Sequence, residues 1–195
     1  MKKLFSILFF ITFISWKFVV PAPQSPNHIV DLDNKLTSEE VTYLNKDIES
    51  ITNKFHIQMG VLITPSRDGN FLEFVRTVYS SWNLGRELDN GILIVLDVDG
   101  KVSGMHTGKW IETYLSDEEC IQIMTEQLNP EIMNNDYYSG LNQLINKIDS
   151  KISYSYSIKH PQYKEYNNYE YLVYLLIALS VIVIVTKLIK WLSRC

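Results

Sequence analysis

The stretch Gly91–Val98 (GILIVLDV), which runs through Asp99-Gly100 into Lys101–Thr107 (KVSGMHT), decides the fold class of this chain. A continuous apolar run of this length is typical of a strand that is buried on both faces. Asp-Gly supplies the positive φ values that a tight turn requires, so we predict a β-hairpin over these residues. A strand buried on both faces also requires helices on both sides of its sheet.

An amphipathic helix and a strand begin the domain. Thr37 and Glu40 form a capping box, and an apolar stripe with three- and four-residue spacing continues from there to Phe55. The β-branched run Ile57–Thr64 (IQMGVLIT) that follows predicts a short strand.

Two further helices lie on either side of the hairpin in sequence. We predict a helix over Phe71–Trp82 with Gly85 as its C-cap. After the hairpin, Ser116 and Glu119 form a second capping box, and Pro130 is expected to end the helix that they begin. The residues expected to face inward on that helix are Ile121, Met124 and Leu128.

A last helix is predicted from about Tyr137 to Ile152, where apolar residues again recur at helical spacing. The complete order is α-β-α-β-β-α-α, with helices beside each strand in sequence. The order predicts an α/β fold, a three-layer α/β/α sandwich with a small mixed sheet.

The N-terminal residues 1–22 have the pattern of a secretory signal peptide. Lys2 and Lys3 form a positive start, and Leu4–Trp16 is an apolar run of the usual length. An uncleaved signal anchor is the alternative, because Pro23 disfavours cleavage after Ala22.

The C-terminal residues 169–190 are predicted to form a transmembrane helix. Its centre, Tyr171–Thr186, has no formal charge, and basic residues follow it while acidic residues precede it. The positive-inside rule then places residues 191–195 in the cytoplasm and the domain, residues 29–152, outside it. The tyrosine-rich residues 153–168 are expected to form a stalk between the two. We therefore expect a single-pass membrane protein.

Charge and cysteine content exclude several classes of function. The 22 acidic residues all lie between Asp31 and Glu170, together with only 12 basic residues, which leaves that region a net charge of −10. Nucleic acid is therefore not an expected partner, because an acidic surface repels phosphates. Cys120 and Cys195 would lie on opposite sides of the membrane, so a disulfide between them is excluded.

Asp89-Asn90-Gly91 at the start of the central strand is the main candidate site. Turn chemistry is one interpretation, because Asp and Asn bond to backbone groups and Gly accepts unusual φ values. The other is a Ca²⁺ site, to which Asp31 and Asp136 would contribute further oxygen ligands from loops. The candidate metal ligands are therefore Asp89, Asn90, Asp31 and Asp136.

No catalytic residue emerges from the sequence. Asp97-Val98-Asp99-Gly100 resembles the nucleophile motif of haloacid-dehalogenase-type phosphatases, in which the first Asp attacks phosphorus. Lys101 replaces the residue expected next, and a hairpin turn explains Asp99-Gly100 more simply. We therefore interpret this motif as a turn.

Five short motifs occur in an order that indicates a family. They are Val30-Asp31 with Leu36–Glu40, Gly60–Ile63, Trp82–Gly85 with Asp89–Ile94, Thr107-Gly108 with Ile111-Glu112, and Pro130 with Asp136-Tyr137 and Gly140-Leu141. Together they resemble the TPM domain family, which includes thylakoid-lumen photosystem II repair proteins, bacterial envelope proteins and a nematode receptor-modulating protein. The resemblance covers about Ile29–Ile152. It implies an extracytoplasmic α/β/α domain, with calcium binding in some members and a weak phosphatase activity in part of the family.

One position departs from the family pattern. Trp110 stands where the resemblance leads us to expect a second glycine after Gly108, which changes the backbone freedom of that segment. A large aromatic residue there is also a candidate contact for a partner.

Two functional hypotheses follow. The first is an accessory or binding module for a membrane protein or complex, because a membrane anchor raises the effective concentration of such a partner. Dependence of this binding on Ca²⁺ is part of the same hypothesis. The alternative is a weak extracytoplasmic phosphatase that acts on phosphomonoesters, and it depends on the family resemblance alone.

Overall fold

The computed structural model describes residues 20–24, 27–65, 69–160, 173, 175–182 and 186. The strands are β1 (Ile29–Asp31), β2 (Gln58–Thr64), β3 (Gly91–Asp97) and β4 (Val102–Thr107). The α-helices of the same region are α1 (Ser38–Phe55), α2 (Phe71–Trp82), α3 (Lys109–Glu112), α4 (Asp117–Ile123), α5 (Asn129–Met133) and α6 (Tyr137–Lys159). A 3₁₀ turn covers Arg86–Leu88, and a π-helical segment, Met124–Leu128, joins α4 to α5.

The four strands form one mixed sheet in the order β1-β2-β3-β4. The first three strands are parallel, and β4 runs antiparallel to β3 in the predicted hairpin. At the centre of the sheet Ile94 lies between Val61 and Met105. The predicted α/β class and the small mixed sheet are therefore confirmed.

One face of the sheet packs against α2. Leu62, Leu93 and Val95 form a buried cluster with Val75 and Val78 of that helix. The side chains on one face of a sheet alternate along each strand, so this cluster uses every second residue of β2 and β3.

Two glycines let aromatic rings of α2 approach the same face closely. A Cβ atom on Gly60 would lie 3.0 Å from the ring of Trp82, and one on Gly104 would lie 2.7 Å from the ring of Phe71. Both strands therefore lack a side chain where a ring of the helix packs.

The opposite face of the sheet is also buried. Val61, Ile63 and Ile94 on this face have no exposed surface. The apolar stripes of α1 and α6 are buried too, and Lys54 connects the two helices. Its Nζ lies 3.5 Å from Asp149 Oδ1 and donates a hydrogen bond of 3.0 Å to Ser153 Oγ.

The segment before β1 packs onto α2. The indole Nε1 of Trp82 donates a hydrogen bond of 3.2 Å to the carbonyl oxygen of Val20, which is 4% exposed. Ala22 packs against the same apolar cluster. A chain cleaved after Ala22 would lack the Val20 acceptor, while residues 1–19 lie outside the described residues.

Both predicted capping boxes are present, at Thr37 with Glu40 and at Ser116 with Glu119. Two predicted turns differ in detail. Asn83, with φ +52°, is the C-cap of α2, and Gly85 adopts φ +78° in the turn that follows. In the hairpin the positive φ belongs to Lys101, at +47°, and not to Asp99-Gly100.

The prediction that Ile121 faces inward and that Pro130 ends its helix is wrong. Ile121 is 66% exposed, whereas Cys120 and Ile123 are buried. The reason is the π-helical segment, in which Asn129 N bonds to the carbonyl oxygen five residues back and adds one residue to the turn. The buried stripe before this segment is therefore displaced by one position. Pro130 lies in the first turn of α5, where proline is tolerated.

Helix α6 continues to Lys159, seven residues beyond its predicted end at Ile152. The structure also has a second compact unit, Tyr156–Cys195, in which residues 175–182 are helical and carry exposed apolar side chains such as Ile182. Among the residues described, no helix has the length and apolar character needed to cross a bilayer. Most of the predicted span, residues 169–190, lies outside the described residues.

A matched pair of substitutions in α4 tests the position of its buried stripe. Ile123→Ala removes a side chain that is 1% exposed and should lower the free energy of unfolding by about 2–4 kcal/mol. Ile121→Ala should change it by less than about 0.5 kcal/mol, because that side chain is mostly in solvent. Urea unfolding followed by circular dichroism measures both. Equal losses, or a larger loss for Ile121→Ala, would contradict the π-helical displacement.

Candidate functional site

The four predicted metal ligands lie at two opposite ends of the sheet. Asp89 and Asn90 precede the first residue of β3, whereas Asp31 is the last residue of β1 and lies beside Ile63. Ile63 in turn pairs with Leu96, near the far end of β3. Measured along the strand direction, Asp31 therefore lies about 16 Å from the start of β3.

Asp136 is on the same side as Asp31. Its neighbours Asn135 and Tyr137 line a cleft together with Val98 and Asp99, which follow the far end of β3. One ion cannot contact ligands at both ends of the sheet, so these four residues do not form a single site.

Asp31 and Asp136 each have a local structural role. The two carboxylate oxygens of Asp31 accept hydrogen bonds from the backbone N–H groups of Asp33 (3.1 Å) and Leu36 (2.9 Å) in the loop to α1. Asp136 Oδ1 accepts one from Ser139 N (3.0 Å) in the first turn of α6. Both carboxylates satisfy backbone donors that would otherwise lack partners.

The carboxylate of Asp89 holds the start of β3 to two other elements. Its Oδ1 accepts a hydrogen bond from the Tyr79 hydroxyl of α2 (3.0 Å), and its Oδ2 accepts one from Lys109 N of α3 (3.0 Å). Asp89 itself has φ +48°, and the backbone of Gly108 approaches it so closely that a Cβ there would lie 2.1 Å from the Asp89 carbonyl oxygen. These contacts bring Tyr79, Asp89, Gly108 and Lys109 together at the start of β3, and we call this cluster the corner.

Tyr79 and His106 form the inner side of this corner. Burial, reinforced by the bond to Asp89, raises the pKa of Tyr79 to about 12, so its hydroxyl remains a donor at physiological pH. The His106 ring meets the Tyr79 ring edge to face at 4.4 Å. Burial and the nearby Arg76 lower the pKa of His106, which favours its neutral imidazole.

Asn90 belongs to a polar cleft on the other side of the corner. Its amide nitrogen donates to the carbonyl oxygen of His56, and the Gln58 side chain accepts from Gly85 N at 2.9 Å. The cleft is also lined by Arg86. Among the described residues, no cluster of three or more His, Cys, Asp or Glu side chains is placed to hold a metal ion.

A groove of about 330 Å³ lies along β4, and the sequence did not predict it. Helix α2 forms one wall with Leu72 and Arg76, and α4 forms the other with Asp117 and Ile121. These residues are separated by up to 49 positions, so local patterns do not bring them together. The available signal was that β4 ends a hairpin and was therefore a candidate edge strand.

Cys120 lies in the wall formed by α4, where burial disfavours its thiolate form. The side chain is buried, and this burial raises the pKa of the thiol to about 12. The thiolate form that reacts as a nucleophile is therefore scarce at neutral pH.

Comparison with known families identifies the fold described above. The sequence matches the TPM domain family over residues 29–151, more than half of the chain. The chain belongs to the TPM domain family. No curated protein sequence matches it.

Solved structures of bacterial proteins share the fold of this TPM domain. The N-terminal domain of a P. gingivalis protein is 23% identical, with a TM-score of 0.62, over 66% of this chain and 83% of that one. The BA42 protein of Bizionia argentinensis is 17% identical, with a TM-score of 0.57, over 64% and 86%. The N-terminal domain of cg2496 from Corynebacterium glutamicum is 13% identical, with a TM-score of 0.54, over 68% and 86%. At these identities the similarity shows the fold alone.

The departure at Trp110 is compatible with the TPM domain backbone. Trp110 lies in the single helical turn α3 and, unlike Asp89, does not adopt a positive φ. Its ring packs against Tyr114 with centroids 4.6 Å apart. The backbone of this chain therefore has no need of glycine at that position.

A pair of aspartate substitutions tests the role of the corner. Asp89→Ala should lower the free energy of unfolding by about 1–2 kcal/mol, because it removes two hydrogen bonds to one carboxylate. It should also lower the pKa of Tyr79, measured by ¹³C NMR of the labelled ring. Asp99→Ala, at an exposed turn position, should change stability by less than about 0.5 kcal/mol. An unchanged pKa of Tyr79 in Asp89→Ala would contradict this account.

Proposed function

We propose that this protein is a membrane-tethered binding module. Its TPM domain lies outside the cytoplasm and docks on a neighbouring membrane protein or complex. The N-terminal export signal and a transmembrane helix over residues 169–190 hold it at the membrane, and the short tail is cytoplasmic. A three-layer α/β/α arrangement of the domain is part of the same proposal.

The groove along β4 is the observation that supports this function most. It is open to solvent, and its walls carry exposed apolar side chains, among which Leu72 is 63% and Ile121 is 66% exposed. An exposed apolar cleft of this kind is a common feature of surfaces that bind other proteins.

The side chains in the groove favour binding over catalysis. Burial raises the pKa of the Cys120 thiol, and His106, whose pKa is lowered, packs against the Tyr79 ring. Within the described residues, His106 has no hydrogen bond to a hydroxyl or thiol, as a nucleophile–base pair would require.

The membrane tether gives a weak binding surface a physical advantage. A domain held at the same membrane as its partner meets that partner at a high effective concentration, so a modest groove suffices for stable association. The net charge of −10 between Asp31 and Glu170 additionally favours partners with basic surfaces.

Calcium dependence is proposed only for the corner at Asp89, because the Asn90 amide bonds to His56 in the polar cleft on the other side. Asp31 and Asp136 are at the other end of the sheet and do not contribute there. Each oxygen of the Asp89 carboxylate accepts one hydrogen bond and retains a second lone pair, while water would have to supply most of the ligands that Ca²⁺ needs.

A phosphatase acting on phosphomonoesters remains the alternative hypothesis, and it depends on the family resemblance. The structure favours the turn interpretation of Asp97-Val98-Asp99-Gly100, because Asp97 Oδ1 accepts a hydrogen bond of 2.9 Å from Gly100 N. Asp97 is 6% exposed, which limits the access of a substrate to it.

Site-specific photo-crosslinking in native membranes tests the binding module. A photoreactive residue at Leu72, in the wall of the groove, should form an adduct with one membrane protein. The same residue at Leu88, which is 71% exposed beside the polar cleft, should not. Repeating the crosslinking with added calcium and with a chelator tests the dependence on Ca²⁺. The proposal fails if neither position gives an adduct, or if both give the same unselective pattern.

A further inference from the structure

Strand β4 is an edge of the sheet, and half of its backbone groups point away from β3. Gly108 N donates to Gly91 O at 2.9 Å, which sets the phase of the antiparallel ladder. Gly104 and His106 therefore bond to β3, whereas the N–H and C=O groups of Ser103, Met105 and Thr107 point outward. Within the described residues these outward backbone groups have no hydrogen-bond partner.

The groove runs along this edge and not over one face of the sheet. Five consecutive residues, Ser103–Thr107, line it, although successive side chains of a strand point to opposite faces. One wall is α2, whose Phe71 and Val75 meet the face of Gly104. The other wall is α4, and Asn129 closes one end through a 2.6 Å bond with Ser103 Oγ.

The two walls present opposite charges. Arg76 lies in the α2 wall and Asp117 in the α4 wall, and both residues are exposed. Neither side chain has an ion pair or hydrogen bond in the part of the chain that the structure describes. His106 lines the same groove, and both charges act on it. They are available to select the charges of an occupant.

We infer that this groove takes an extended segment of a partner protein, which adds to β4 as a fifth strand of the sheet. The segment's backbone bonds to the outward groups of Ser103, Met105 and Thr107. Its side chains alternate between the two walls, so an acidic side chain meets Arg76 and a basic one, an odd number of residues away, meets Asp117.

The groove itself argues for a separate extended segment as the occupant. In a second copy of this chain, β4 would also lie between the α2 and α4 walls of its groove. The walls of the two copies would collide before the two β4 strands could pair. An extended segment without flanking helices avoids this collision. This inference rests on the proposed binding module and names its surface and the chemistry of its partner.

A selection of peptides by the full-length protein tests the charge pattern. The probe is a displayed library of random nine-residue peptides. Enriched peptides should carry one acidic and one basic residue at odd separation. Arg76→Glu should weaken their binding at least tenfold, and replacing the peptide's acidic residue by Lys should restore it. Arg86→Glu, at an exposed arginine of the polar cleft, is the control that should leave binding unchanged.

A backbone substitution tests strand addition directly. Met105→Pro removes an outward N–H, which an edge strand tolerates, and should weaken binding at least tenfold. Met105→Ala keeps the N–H and should weaken it much less. Circular dichroism of each variant, with the charge-reversal rescue above, separates loss of binding from loss of folding.

Three results would overturn strand addition: no peptide is enriched, Arg76→Glu and Met105→Pro bind as well as the wild type, or reversal of the peptide's charge restores nothing. The binding module is judged separately. If Leu72 crosslinks to a membrane protein and neither Arg76→Glu nor Met105→Pro changes the adduct, the binding module is supported and strand addition is contradicted. If no adduct forms at all, the module itself falls.

Discussion

The burial of β3 on both faces is the constraint on which the rest of the domain depends. All seven residues of Gly91–Asp97 are buried, and β2 and β4 satisfy the backbone on either side. Both faces must therefore be covered, and α2 covers one of them. A four-stranded sheet covered in this way still has two edges. The β1 edge is only three residues long, whereas β4 offers six, so the longer free edge is the one beside the groove.

The corner at Asp89 fixes the start of this central strand. Tyr79 reaches it from α2 and Lys109 from α3, so one carboxylate connects elements on both sides of the hairpin. The Tyr79 ring then supports His106 on β4. Asp89 therefore helps to position His106, which lines the groove. From the sequence, Asp89 is a candidate metal ligand. Its structural role does not require a metal ion.

Local signals predicted those parts of the fold that depend on local chemistry. The capping boxes at Thr37 and Ser116 are visible in four residues each, and the apolar run that contains β3 is visible in eight. The sequence is insufficient where a contact with a residue distant in sequence determines the structure. The spacing of an uninterrupted α-helix predicts Ile121 facing inward, and nothing in the local pattern reveals the π-helical segment that follows. For Asp89 the local pattern leaves turn chemistry and metal binding open, because it does not reveal the hydroxyl donor, Tyr79, which is ten residues away on α2.

Amide hydrogen exchange of the free, full-length protein tests the central claim most directly, since it reports which side of β4 is bonded. The account predicts slow exchange at Gly104 and His106, which donate to β3, and fast exchange at Ser103, Met105 and Thr107. Slow exchange at all five amides would show that the edge is already covered. Slow exchange at the odd-numbered residues alone would reverse the phase of the ladder and contradict the account.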